Sequence, residues 1–471
     1  MPKTIAAEIP LRIVASFRRA FGQFLAVPLA VVLGFVLAAV FIYLADTAWS
    51  QGHVPAGFGW LGALLGDSGS LATLLSTVAS SIITVTSIIF SLLLIALQQG
   101  ASALTTQVTD QFLMRRANQF YFGFFIGLSV FVLVNLVTAS GIHRPVFGTA
   151  IALVLTAVAL CMIVVMIYNT IDQMRPRQIV RTIQRHVLAA RTVQTRLLRR
   201  SRRKPRPDWP VVGTVRVEGS GHIVGIDADG LQGALGGLSP VEVELLVPLG
   251  RYLAFDERVA VIRAPAGEPP DAEAREKVRR AVLAALAFDD DRDLKGDAAY
   301  GIHQLATIGW TTGSTSKSNP DPVQAVVESL RDILFRWAAE GDVPSDPASA
   351  LVIADAAPGE AIDAIETLIL VSSESLQAQV LAEALRTVAA LLPRVPEGWA
   401  LRLVDVVRRA LSSLGEHVLT RELEQAIDAL AEALDERQHP EVARDLRVAT
   451  ARLASTLGAL NSRSTRVPGQ G

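Results

Sequence analysis

Apolar residues run almost unbroken through four stretches of this chain, 24–45, 71–97, 118–140 and 147–170. Crossing about 30 Å of hydrocarbon takes roughly 20 helical residues, so each stretch is long enough to span a bilayer. Beyond the fourth stretch the pattern changes. Ile179, Ile183 and Val187 step by four beside Arg177, Arg181 and Arg185, which predicts an amphipathic helix continuing from the fourth span with a kink at Pro176. Over 211–264 apolar and polar residues alternate around Gly219-Ser220-Gly221 and Asp227-Ala228-Asp229-Gly230. That alternation predicts a small antiparallel, barrel-like β subdomain, with a hairpin turn at the first motif and another turn at the second. From 271 to about 461, Leu and Ala recur at three- and four-residue steps between Pro and Gly breaks, the pattern of helices in a bundle or short solenoid.

The expected fold class is therefore an α-helical membrane protein with four transmembrane helices, followed by a small β subdomain and an α-helical bundle or solenoid. The boundaries read as a transmembrane domain over 1–174, a basic juxtamembrane helix and linker over 175–207, and a β subdomain over 208–266. A helical domain over 267–462 and a disordered tail over 463–471 complete the chain.

The second span departs from a plain apolar helix. Thr73, Thr77, Ser80, Thr84, Ser87 and Ser91 are spaced 4, 3, 4, 3 and 4 residues apart, which at 3.6 residues per turn keeps all six within about 80° of arc. Gln98 extends the face, Ser76 and Ser81 flank it, and Thr86 sits opposite among Val78, Ile82, Ile89 and Leu93. Two readings stay open. Small hydroxyl residues can bond their own i−4 carbonyl and let helices approach closely; alternatively, they line a conduit in which neutral oxygens solvate an ion without holding it. In the third span Gly123 and Gly127 form a GxxxG contact motif, and Asn135 needs a partner, most simply across a helix interface.

Charge adds orientation. Residues 1–207 carry 19 Lys/Arg against 5 Asp/Glu, and the remainder 25 against 40, so a basic half adjoins an acidic one. Arg12, Arg18, Arg19, Arg115 and Arg116 flank the spans on one side, and 175–206 holds twelve Lys/Arg and no acid. The positive-inside rule then puts both termini in the cytoplasm. Tyr43, Trp49 and Trp60 fit an outer aromatic belt with Tyr168 near the inner one, and Asp46 and Asp67 make the outer face mildly acidic. Arg175, Arg177, Arg181 and Arg185 form a basic patch suited to anionic lipid or to the vestibule of a pore. Nucleic-acid binding does not fit a segment that abuts a membrane and precedes an acidic domain.

No catalytic spacing emerges. The seven histidines form no His-x-x-x-His pair, and no nucleophile elbow, phosphate loop or calcium loop is present. Asp289-Asp290-Asp291-Arg292-Asp293 reads as a solvated loop or cap, and His303 as a core or interface residue. The single cysteine, Cys161, excludes an internal disulfide and reads as a small buried hydrophobe. No enzyme activity, metal or cofactor is expected.

The run LLSTVASSIITVTSIIFSLLLIALQQGAS, then VEGSGHIVGIDADGL, then YGIHQLATIGW resembles, in order along nearly the whole chain, a bacterial family catalogued as domain of unknown function 2254. The resemblance implies a four-span inner-membrane protein with a cytosolic C-terminal region, and it brings no established activity. The family's Ser-Pro-x-x-Asn-Asp-Pro turn reads here Ser318-Asn319-Pro320-Asp321-Pro322, with Asp321 expected to cap the next helix and Pro322 to begin it. The functional expectation is a homo-oligomeric ion channel lined by the second span, in contact with membrane lipids including anionic ones. Its rival is a membrane-anchored sensor or scaffold whose acidic helical part binds a partner; a membrane enzyme comes third.

Overall fold

A computed structural model of the chain describes residues 25–50, 68–103, 116–139, 145–173, 175–236, 240–267, 269–292, 296–315 and 319–456. They divide into two compact units, 1–175 and 176–471.

The first unit holds four helices, α1 (Ala26–Ser50), α2 (Ser68–Ala103), α3 (Arg116–Thr138) and α4 (Val146–Gln173). Each contains 23 or 24 residues long and apolar enough to cross a membrane. α3 is the hub, touching α1, α2 and α4, and it carries the largest buried share of the four spans. Its two glycines make this possible. A Cβ on Gly123 would stand 2.9 Å from the Pro28 backbone of α1, and one on Gly127 would collide with the Phe35 ring. With the glycines bare, Phe35 meets Phe124 edge-on at 5.5 Å, and Phe90 of α2 reaches Phe122 at 4.9 Å. Such aromatic pairs add to dispersion, which must hold spans together because lipid tails offer no hydrophobic contrast.

The second unit starts with α5 (Pro176–Arg199). Pro176 opens this separate helix, since α4 stops at Gln173; proline fits a first helical position because its missing N–H has no partner there anyway. Ile179, Val180, Ile183 and Val187 are buried, as their spacing requires. Next come β1 (Val211–Arg216), β2 (Gly221–Ile226), α6 (Ala228–Leu235), β3 (Glu242–Leu245), β4 (Tyr252–Leu253) and β5 (Arg258–Arg263). α7 (Ala272–Ala285), β6 (Leu286–Asp289), α8 (Ala298–Thr315), α9 (Asp321–Glu340) and β7 (Leu351–Val352) follow. The chain closes with α10 (Ala357–Glu374), α11 (Ala378–Leu391), α12 (Glu397–Ala410), α13 (Arg421–Glu436) and α14 (Pro440–Thr456).

The strands form two sheets rather than a barrel, in the orders β1-β5-β3-β7 and β4-β2-β6. Gly219-Ser220-Gly221 is not a hairpin turn: β1 pairs with β5, β2 pairs with β4 and β6, and the motif carries the chain from one sheet to the other. Asp227 does not make a turn either. It accepts the Gly230 N–H at 3.0 Å and so caps α6. β6 and β7 come from beyond residue 266, and the β core closes over Val278, Val282 and Leu351 together with Val215, Ile223 and Val243. At the family turn the helix begins one residue earlier than expected, with Pro320 as its cap and Asp321 inside it.

Candidate functional site

The hydroxyl stripe of α2 stands on the outside of its own bundle. Thr73, Thr77, Ser80, Thr84, Ser87, Ser91 and Gln98 are all exposed. Leu71, Leu75, Ala79, Ile82 and Ile89 are buried, and at 100° per residue they centre about 180° from the stripe. α2 therefore turns a wholly apolar face to α3 and α4 and its hydroxyl stripe away from them, with Ile83, Ile88, Leu94 and Ile95 also exposed beside the stripe. Close contact between the stripe and sibling spans of the same chain is excluded.

Five of the stripe's hydroxyl protons are already used. Thr73 donates to the Gly69 carbonyl at 2.9 Å, Thr77 to Thr73 at 2.9 Å, and Thr84 to Ser80 at 2.8 Å. Ser87 donates to Ile83 and Ser91 to Ser87, both at 3.0 Å. Each such oxygen keeps its lone pairs for whatever lies outside, so the face accepts hydrogen bonds and attracts cations more than it donates.

Asn135 departs from expectation. Its amide N–H donates to the Phe131 carbonyl of its own helix at 2.8 Å, while the amide oxygen lies close over Gly148 of α4. Asp46 departs further. It is fully buried, not an outer-face charge, and its carboxylate accepts the Phe147 N–H at 2.8 Å and the Gly148 N–H at 3.0 Å. The end of α1 thus caps the start of α4, with the carboxyl oxygens set at the positive end of the helix dipole. Nothing in the local sequence announces a cap 101 residues from its helix. Cys161 is exposed on the outward side of α4 rather than buried. Tyr43 and Tyr168 are exposed, as a belt requires. The Trp49 side chain, Trp60, Asp67, Asp293 and the tail 463–471 lie outside the described residues.

Arg175 is exposed at the end of the first unit, 3.6 Å from Asp172. In the second unit Arg177, Arg181 and Arg185 are all exposed along α5. Pattern reading passed over the neighbour that fastens this helix. Arg191, 4% exposed, makes two 2.6 Å bonds to Asp355 and stands over the Trp337 ring at 4.9 Å. Breaking such a buried pair by removing one partner typically costs about 3–5 kcal/mol.

The candidate catalytic residues do not converge. His303 is exposed on α8, and Gln304 beside it is the buried one. Arg292 of the acidic run binds Asp297 at 2.6 Å, and Asp297 caps α8 through the Tyr300 N–H at 3.0 Å. Burial pushes the Asp297 carboxyl above its ordinary range, with the Arg292 guanidinium opposing. Among the described residues no group of three His, Cys, Asp or Glu is placed to hold a metal.

Compared with known proteins, the chain matches a family described as "Predicted membrane protein (DUF2254)" over residues 22–353. The match takes in all four spans and ends just after β7, leaving α10–α14 outside it. None of the curated proteins and none of the solved structures matches.

Proposed function

The chain belongs to the predicted membrane protein family DUF2254 across residues 22–353, and from that premise we propose that its copies assemble into an ion-conducting channel. The hydroxyl faces of α2 turn inward on a shared, water-filled centre. The observation that carries this reading is the outward stripe: seven exposed polar side chains, bordered by exposed Ile83, Ile88, Leu94 and Ile95, on a span whose buried face is apolar and packed on its own bundle. A lone protomer would leave that face to lipid. A ring of copies gives it water and a use, and with four spans per chain a central path needs several chains. Oxygens that keep their lone pairs free suit cations. The excess of Lys and Arg beside the spans supports a topology with both termini on the cytoplasmic side of the inner membrane, and in this reading the second unit is the vestibule or gate.

Purified protein in planar bilayers is expected to conduct, with a reversal potential in a salt gradient displaced toward that of the cation. Ser80→Leu and Thr84→Leu, judged folded by gel filtration, are expected to cut the current at least about tenfold by narrowing and dewetting the path. Silence across voltage, tension and pH contradicts the proposal.

A further inference from the structure

α5, α8 and α9 lie side by side, and their contacts fix their directions. Arg177 reaches Glu328 at 3.6 Å, Gln184 donates to Asp332 at 2.6 Å, and Arg191 stands over Trp337, so α5 and α9 run the same way. Gly309 of α8 faces Val326 and Gly313 faces Val323, so α8 runs opposite to α9. One end of this trio therefore gathers the first turns of α5 and α9 and the last turns of α8.

Three features meet at that end. A cleft of ≈ 90 Å³ opens between α5 and α9, lined by Arg177, Arg181, Gln184, Glu328 and Ser329, which is ample for a tetrahedral oxyanion. Arg177 shares its charge with the half-exposed Glu328, but Arg181 has no acidic partner among the described residues. Arg185, one turn on, spends its donors on the Arg181 carbonyl and the Thr182 hydroxyl, so it too keeps an uncompensated charge. The third feature is α8, whose 18 residues contain no Asp, Glu, Lys or Arg, and whose Trp310 is 47% exposed near the gathered end. An exposed tryptophan on an uncharged helix beside unpaired arginines matches the chemistry of the headgroup layer, apolar below and anionic above.

Connectivity names the occupant. Arg177 follows Gln173, the last residue of α4, by four positions, a reach of at most about 14 Å even fully extended. We propose that this end of the second unit is a binding site for an anionic phospholipid, with Arg181 and Arg177 holding the phosphodiester in the cleft and Trp310 seated at the interface. The proposal does not depend on conduction.

The test uses full-length protein, delipidated in a neutral detergent. It is titrated with phosphatidylglycerol, phosphatidylcholine or inorganic phosphate, and bound lipid is counted by native mass spectrometry. Phosphatidylglycerol is expected to bind at least tenfold more tightly than phosphatidylcholine. At roughly a fivefold gain per arginine near an anionic surface, the double variant Arg177→Gln/Arg181→Gln is expected to lose about 10–30-fold in that preference. Arg444→Gln, an exposed arginine on α14, is expected to keep it. Brominated phosphatidylglycerol should quench a tryptophan signal that Trp310→Phe removes. Equal affinity for the two wild-type lipids, an unchanged preference in the double variant, or equal displacement of both lipids by millimolar phosphate would each overturn the proposal. The wild-type comparison stands even where a variant folds poorly.

Discussion

Asp46 concentrates more consequence in one side chain than any other residue of the membrane unit. Its two carboxylate oxygens satisfy two N–H groups at the start of α4, at a helix end that would otherwise carry orphan donors into a poorly hydrated layer. Hydrogen bonds to a charged group contribute about 1.5–3 kcal/mol each. Asp46→Ala is therefore expected to destabilise the detergent-solubilised protein by roughly 2–4 kcal/mol, and Asp46→Asn, which retains one acceptor, by less. Thermal or denaturant unfolding followed by helical circular dichroism checks this, and an unchanged midpoint for Asp46→Ala would refute the capping role. The same burial removes Asp46 from any outer ring of charge.

Among the elements, α1 and α3 show how small residues decide which spans meet. The Gly123 Cα faces backbone at Pro28, which has no soft side chain to yield, whereas Gly34 of α1 has nothing within 4 Å of where a Cβ would go. The two glycines thus answer alanine oppositely. Gly123→Ala is expected to cost about 1–3 kcal/mol through overpacking, while Gly34→Ala is neutral or gains up to about 1 kcal/mol from helix propensity. Unfolding midpoints measured side by side decide it, and equal effects would mean that the α1–α3 contact is not close. This contact was half legible in the chain. The GxxxG spacing pointed to a tight crossing, but its partner had to be seen. The spans themselves, the hydroxyl stripe and the buried face of α5 were readable because each rests on a period repeated over several turns, whereas the side to which the stripe turns had to be seen. β6 and β7 were not, since strands of four and two residues are too short to show a period, and only their pairing makes them strands. Cys161 eluded reading for another reason. Hydropathy reports a preference for leaving water, and in a membrane that is met equally by lipid and by protein.

For the whole molecule the central question is what the polar side of α2 faces. Its buried apolar face is committed to α3 and α4, and the hydroxyl protons of Thr73, Thr77, Thr84, Ser87 and Ser91 to carbonyls of its own helix. The one cysteine makes the decisive measurement clean. In a Cys161→Ala background, a single cysteine is introduced at Thr84, on the stripe, or at Val164, exposed on α4. Membranes carrying each variant are treated with a charged methanethiosulfonate, which needs water to reach a thiolate, and with an oxidant that joins neighbouring copies. The account predicts rapid modification and copy-to-copy cross-linking at position 84, with neither at 164. A position 84 as inert as 164, in a protein that sediments as a monomer, would contradict it.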